Sequence, residues 1–461
     1  MRRLVSAAAL GCALLLAGCD AVPSKSGFEP QPYVQFENAE WTRDAVIYQL
    51  NTRQFTSEGT FAAAQEQLPR LAEMGVDIVW LMPIHPIGEI NRKGTLGSPY
   101  AVKDYRGVNP DLGTPEEFRA FVDAAHELGL KVILDWVANH SAWDNLLTQT
   151  NPEWYSRTPE GDLMPPEGTD WLDTVDFDYS QAGLREYMTG SLAYWVREFD
   201  IDGYRADVAG YVPLDFWETA RAELNSIKPV FMLAEWETRD LHAKSFDATY
   251  GWGWKEELQK VAAGEGNANN MRGYYAGQKV TWPHAAYRMN YTDNHDQNSW
   301  DGVASDIYGP AYEAAIALSF VGTGIPLIYN GQEADLDRQL EFFEKDQIEW
   351  KTGQYDGLFR QLIALKTEEP ALWNGRYGAP MIDVPNSVPD DVLSFVRGEG
   401  SERIFAVFNL SPNGHSVTFQ LERHTGEYVD AMRKDDGSFT IDARTEIGLE
   451  PWGYEIFRAT D

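Results

Sequence analysis

Eight short apolar segments alternating with helix-like stretches set the tightest constraint on how this chain can fold. The segments are AVIYQL (45–50), VDIVWLM (76–82), LKVILDW (130–136), IDGYRAD (201–207), PVFMLAE (229–235), SFDATY (245–250), AYRMNYTD (286–293) and IPLIYNG (325–331). Helical patterns follow near 61–74, 115–128, 214–226, 254–263, 311–321 and 357–367, and an aromatic helical run holding Tyr194, Trp195 and Phe199 precedes the fourth segment. Strands alternating with helices predict a parallel sheet. Eight of them are the number that closes a (β/α)8 barrel. A doubly wound sheet usually has fewer strands and often a glycine-rich phosphate loop, and no such loop occurs in this sequence.

The barrel is expected over 41–374. The interval 139–180, after the third strand, is too long for an ordinary loop and is rich in Trp, Pro, Asp and Gly, which predicts a small inserted subdomain. After about 375 the pattern changes to short alternating strands (VLSFVRG, RIFAVFNLS, HSVTFQLE), which predicts a C-terminal antiparallel β-sandwich over 375–461. At 43% hydrophobic and 13% aromatic, the 461 residues can bury a large core, which excludes global disorder. The 38 basic and 71 acidic residues give a formal charge of −33, which disfavours nucleic acid and anionic membrane surfaces as partners.

The N-terminus, MRRLVSAAALGCALLLAGCD, has the layout of a signal peptide: two arginines, an apolar run, then a small-residue ending. The run is short of the ~20 residues a membrane span needs. The Leu16-Ala17-Gly18-Cys19 ending resembles a bacterial lipoprotein box. That resemblance implies a signal peptide over 1–18, cleavage before Cys19 and lipid on its thiol, and so an exported, membrane-anchored protein. The polar, proline-containing stretch 19–40 reads as a tether. Cys12 and Cys19 are the only cysteines, so the mature domain is expected to carry no disulfide.

In such a barrel catalytic groups sit at the C-terminal ends of the strands. Polar residues collect there. Strand three ends in Asp135, followed by Asn139 and His140; strand four ends in Arg205 and Asp207; strand five ends in Glu235; strand seven leads to Asn294, His295 and Asp296; the loop after strand two reaches Tyr100 and Asp104. Neighbouring carboxylates raise one another's pKa and destabilise a fold. Glycoside hydrolysis, which uses a carboxylate nucleophile and a protonated carboxyl, accounts for the cost.

The segments DWVANH (135–140), GYRAD (203–207), AEW around Glu235 and NHD (294–296) resemble the four signature segments of the α-amylase family of glycoside hydrolases, family 13. GSPYAVKDY (97–105) and GIPLIYNGQE (324–333) are similar to two further segments of that family, and VDFDY resembles its fifth signature more weakly. The resemblance implies that Asp207 is the nucleophile, Glu235 the general acid/base and Asp296 the third carboxylate, which stabilises the transition state. It implies that Tyr100 is the platform beneath the sugar and that His140 and His295 hydrogen-bond it. Asp135 is read as architectural. Arg205, grouped with the substrate-binding residues, is read as the cation that keeps Asp207 ionised. The nucleophile is therefore expected at a lowered pKa and Glu235 at a raised one. A retaining reaction asks for about 5–5.5 Å between the two carboxyl groups.

Trp143, Trp154, Trp171, Trp252 and Trp254 fall in loops or helix starts on the mouth side, and one or two of them are expected to stack on sugar. Many endo-acting relatives carry a Lys-His pair where this chain has Gly210 and Tyr211, so chain-length preference is open. The chemistry requires no cofactor. The resemblance makes Asn139 a candidate ligand of a structural calcium ion, with Asp162, Asp170, Asp173, Asp176 and Asp178 of the insert as candidate further ligands. The expected activity is retaining cleavage of α-1,4 bonds in starch-like glucans or maltooligosaccharides by a monomer. An exo-acting α-glucosidase, a cyclomaltodextrinase-like enzyme and a transglycosylase share the same chemistry. A non-catalytic glucan-binding lipoprotein is the alternative from another class.

Overall fold

The computed structural model describes residues 32–421, 423–433 and 437–460. The expected signal peptide, Cys19 and most of the tether lie outside the described residues. The eight segments form strands β1 (Ile47–Leu50), β2 (Ile78–Leu81), β3 (Lys131–Trp136), β4 (Gly203–Ala206), β5 (Phe231–Ala234), β6 (Ala248–Tyr250), β7 (Tyr287–Asn290) and β8 (Ile325–Tyr329). They close into one barrel with every neighbouring pair parallel. The ring shuts where Ile47 of β1 pairs with Leu327 of β8 on one side and Ile78 of β2 on the other.

The strands are apolar on both faces because both faces are buried. Ile47, Ile78, Ile133, Phe231, Met289 and Leu327 point inward and fill the barrel. Tyr48, Val79, Leu134, Tyr204, Met232 and Ile328, one residue out of phase, pack beneath the helices. Each such side chain removed from water contributes roughly 1.5–3 kcal/mol.

The helical patterns appear at Pro115–Glu127, Leu214–Ile227, Trp252–Ala262, Tyr312–Val321 and Gln354–Glu368, with the aromatic run inside Ala182–Phe199. Thr114 and Glu117 form a reciprocal capping box at the first of these. The pattern at 61–74 is two helices, Phe61–Gln65 and Leu68–Met74. Pro69 lacks an N–H and sits in the first turn of the second, where none is needed. A further helix, Ala268–Thr281, follows Trp252–Ala262.

Two features bear on the site. In the insert, His140–Ala142 pairs antiparallel with Thr174–Asp176, which folds residues 143–173 back over the strand ends. Beyond the barrel lie a six-stranded antiparallel sheet and a two-stranded one. Phe405, Val407, Val417 and Phe457 are buried between them.

The segment expected to be tether through residue 40 packs on the barrel floor instead. Gln35 N–H donates to Ala243 O at 2.8 Å, and Asn38 Nδ2 donates to Asp247 Oδ1 at 2.9 Å. Arg221 Nη1 and Asp247 Oδ2 form a fully buried ion pair at 2.6 Å, with the guanidinium 4.2 Å from the Phe36 ring centroid. A buried pair needs cover and further hydrogen bonds, and residues 36–38 provide both.

Candidate active site

The site is built on one guanidinium. Arg205, in the middle of β4, points into the barrel with its side chain 1% exposed. Its Nη1 lies 2.8 Å from Asp135 Oδ1 and 3.1 Å from Asp207 Oδ1. Its Nη2 lies 2.9 Å from Glu235 Oε1, and Nε donates to Tyr250 Oη at 3.2 Å. Rings of Trp80, Tyr100 and Tyr250 surround it at 5.2–5.8 Å. The strand can sit this close to β5 because residue 203 is glycine: at its φ of +151°, an added Cβ would lie 1.9 Å from Phe231 O.

Three carboxyl groups around one cation cannot all be ionised cheaply out of water. Burial raises Asp135 to about 6, against the opposing pull of Arg205. Burial, then the charge of Glu235, pushes Asp207 well above the ordinary carboxylate range, with Arg205 opposing. Burial also raises Glu235, again against Arg205. The raised acid/base matches expectation. The lowered nucleophile does not: Arg205 is shared among three carboxyl groups, so burial outweighs it at Asp207. The two carboxyl groups titrate as a pair, and a proton on either relieves the other; a retaining reaction requires that proton on Glu235, with Asp207 ionised beside Arg205.

Val208 sits directly after Asp207 with φ +36°, a conformation that a β-branched residue adopts at a cost of roughly 1–3 kcal/mol. Its backbone N–H is thereby aimed at Glu235 Oε2, 2.7 Å away. The strained turn fixes the second oxygen of a carboxyl group whose first is held by Arg205.

A hydrogen-bond chain orients the other side of the cavity. His295 N–H donates to Gln49 Oε1 at 3.1 Å, which fixes the Gln49 amide so that its Nε2 donates to His295 Nδ1 at 2.7 Å. His295 Nε2 therefore carries the hydrogen and faces Tyr100 Oη at 2.7 Å; that hydroxyl in turn donates to Asp135 Oδ2 at 3.0 Å. The Tyr100 and His295 rings stack at 5.7 Å and 19°. Burial drops both His140 and His295 to about 3, so both are neutral hydrogen-bonding groups.

Tyr100, His140, Trp171, Asp207, Glu235, His295 and Asp296 line one cavity of about 580 Å³. The Asp296 side chain is 43% exposed there. Of the seven expected site residues on the barrel, Arg205 alone is not in the lining. Its donors are turned to protein partners, so it is a positioning residue and not a substrate contact. Of the five tryptophans, Trp171 lines the cavity, 5.2 Å from the His140 ring, whereas Trp254 is wholly buried in the core.

The calcium set does not assemble. Asn139 Nδ2 donates to Asp176 Oδ1 at 3.4 Å, Asp178 accepts from Ser180 and Gln181, and Asp173 faces Lys93 Nζ at 3.5 Å. Among the described residues no group of three or more His, Cys, Asp or Glu side chains is placed to hold a metal. Four of the six candidate side chains are thus engaged with protein partners.

Residues 34–371 match the family model described as the α-amylase catalytic domain, and residues 384–452 match that of the α-amylase C-terminal all-beta domain. The chain belongs to the α-amylase family of glycoside hydrolases. A noncanonic maltogenic α-amylase AmyB from Thermotoga neapolitana superposes with a TM-score of 0.83 at 31% identity, covering 91% of this chain and 99% of that one. An α-amylase from Lactobacillus plantarum gives 0.81 at 31%, covering 91% and 100%. α-Amylase MalA of Haloarcula japonica is 27% identical over 460 residues, 92% of this chain; the match spans 65% of the Haloarcula protein's length.

Several residues of this amylase-family site escaped sequence reading. Gln49 left a signal, a lone amide inside the apolar run AVIYQL, since a buried amide must be satisfied. Lys93 and Phe342 also line the cavity from loops and Trp300 from the short helix Gln297–Asp301, none within a motif, while Asp173, expected only as a calcium candidate, lines it too. At the two departures, a Cβ on Gly210 would lie 2.0 Å from the Trp236 ring, and Tyr211 is 52% exposed against Trp236 and Trp171.

Proposed function

We propose that this protein hydrolyses α-1,4-glucosidic bonds in starch-like glucans or maltooligosaccharides with retention of configuration. The observation that carries this reading is the single Arg205 guanidinium holding both Asp207 and Glu235 at the wall of the cavity. In the first step an Asp207 oxygen bonds to the anomeric carbon while the bond to the leaving oxygen breaks, and the Glu235 proton passes to that oxygen. In the second step water attacks the same carbon, Glu235 takes its proton, and Asp207 leaves as carboxylate. Tyr100 supports the sugar ring, while neutral His140 and His295 and the carboxylate of Asp296 hydrogen-bond its hydroxyls. Names of similar proteins, among them maltogenic amylases and a cyclomaltodextrinase, support an α-glucan substrate.

Incubation of the purified protein with soluble starch, maltooligosaccharides, cyclodextrins and pullulan tests the reading. Release of new reducing ends is the expected result, and none from any substrate would overturn it. We further propose that the protein is exported and lipid-anchored through Cys19 and acts as a monomer. The Leu16-Ala17-Gly18-Cys19 ending supports the anchor. Radiolabelled palmitate should appear in the wild type and not in Cys19→Ser; an unlabelled wild type would exclude the anchor.

A further inference from the structure

The direction of the bound chain follows from the roles of Glu235 and Tyr100. The leaving oxygen must lie at Glu235, so the departing half of a glucan runs out past Val208, Trp236 and exposed Tyr211. The sugar that keeps the anomeric carbon lies over the Tyr100–His295 stack. Its chain continues the other way, toward Phe342, whose ring is 6.1 Å from Tyr100 and 5.2 Å from Trp300. Because the attacked carbon is C1 of that sugar, this second direction leads to the non-reducing end.

Loop 91–97 bridges the insert and the loop after β8, beside Phe342 and Phe343, and puts Lys93 into the cavity lining. On one flank it is tied to the insert: Asn91 Nδ2 donates to Leu172 O at 3.3 Å, and Lys93 Nζ donates to Asp170 O at 3.0 Å. On the other flank it is tied to the loop after β8: Leu96 N–H donates to Phe343 O at 3.2 Å, and Thr95 N–H donates to Glu344 Oε1 at 2.8 Å. Arg92 Nε to Gly88 O (2.8 Å) and Arg53 Nη1 to Gly97 O (3.0 Å) brace its base. A segment bonded to both flanks and braced beneath is a fixed wall. A groove for a continuous polymer would be open here.

The wall and the insert also present polar groups to the cavity. Lys93 and Asp173 both line it. Asp173 is 3% exposed, and its Oδ2 has no hydrogen-bond partner. A buried acceptor left unpaired is costly, and a sugar hydroxyl would satisfy it.

We propose that the cavity is blind at its donor end, so that the enzyme takes glucans by their non-reducing ends and releases a short product of fixed length. Lys93 and Asp173 hold the hydroxyls of the terminal glucosyl unit. This inference rests on the hydrolytic reading above. It differs from that reading in denying attack inside a chain.

The test compares p-nitrophenyl maltoheptaoside with the same compound blocked by a 4,6-O-ethylidene group at its non-reducing end. Wild-type protein should cleave the free compound from the first minutes to one short product and cleave the blocked one roughly 100-fold more slowly or worse. Amylose should gain reducing ends well before its viscosity falls. Replacing residues 92–95 by Gly-Gly should narrow the gap between the two substrates, and Asp173→Ala should raise KM for the free compound more than it lowers kcat. Equal wild-type rates on both compounds, or a ladder of product lengths from the start, would overturn the proposal whether or not the loop variant folds. Cleavage of neither compound would overturn the hydrolytic reading, and this inference with it.

Discussion

Asp207→Asn separates catalysis from stability at one atom. The substitution keeps the side chain's volume, and the amide oxygen can still accept from Arg205 Nη1, now 3.1 Å from Asp207 Oδ1. It removes an attraction of about 4 kcal/mol, taking charges ~4 Å apart at an effective dielectric of about 20. With Glu235 protonated there is no opposing carboxylate charge to relieve, so the lost attraction is set against the relief of burying one fewer charge, and that relief decides the sign. Burial holds Asp207 above the ordinary carboxylate range, so the fold disfavours its ionised form. The neutral variant should therefore be as stable as the wild type at pH 7, or more stable by about 1–2 kcal/mol, a rise of a few degrees in Tm.

The pH dependence has a definite direction. A carboxyl whose folded pKa is raised costs stability progressively as pH climbs from its unfolded value near 4 through the folded one. The variant's advantage should be present at pH 7 and shrink as pH falls toward 4. Turnover of maltoheptaose should drop on the order of 10⁴-fold or more, as for other lost nucleophiles. Differential scanning calorimetry at pH 7 and pH 4.5 and a reducing-end assay check the three statements together. A Tm lower by more than about 5 °C at pH 7, or an advantage that grows on acidification, would refute the account of the charge cluster. Retained turnover would refute the assignment of the nucleophile.

Gly210→Ala places a methyl group 2.0 Å from the Trp236 ring and must displace the residue next to Glu235; kcat/KM should fall about 10-fold or more with a modest loss of Tm. Arg221→Met leaves buried Asp247 unpaired and uncovers the docked N-terminal segment; stability should fall by about 3–5 kcal/mol, and limited proteolysis should cut near residues 33–38 while activity per folded molecule persists. His140 and His295, held neutral to about pH 3, should show ring resonances that do not shift between pH 7.5 and 5. Because an unfolded chain protonates both histidines below about 6.5, they contribute a loss of stability as pH falls from there, which urea titrations across that range would measure.

The barrel was legible because its strands are buried on two faces, which forces runs such as VDIVWLM and PVFMLAE to be apolar throughout. Asp135, Asp207, Glu235 and Asp296 were legible for the opposite reason: charged groups that end apolar strands need an explanation, and their order supplied one. The insert's length was visible too, but not its path, since no periodicity marks a three-residue strand such as His140–Ala142. Acidic residues close in sequence find separate partners in space, as Asp173 does with Lys93 and Asp178 with Ser180 and Gln181. The tether was drawn too long because a polar stretch carries no sign of the buried Arg221–Asp247 pair it covers.

What the sequence alone determined is local and additive: which segments are strands, in what order, and which reactive groups stand at their ends. Tertiary structure decided everything that depends on one group being shared. Arg205 is a neighbour of Asp207 in the chain, yet it serves Asp135 and Glu235 equally, and that sharing leaves burial free to raise Asp207. Loop 91–97 carries no motif, yet it joins two flanks that lie about 80 and 250 residues away along the chain. Electrostatic balance and cavity shape are sums over neighbours in space, and only the closed barrel says who those neighbours are.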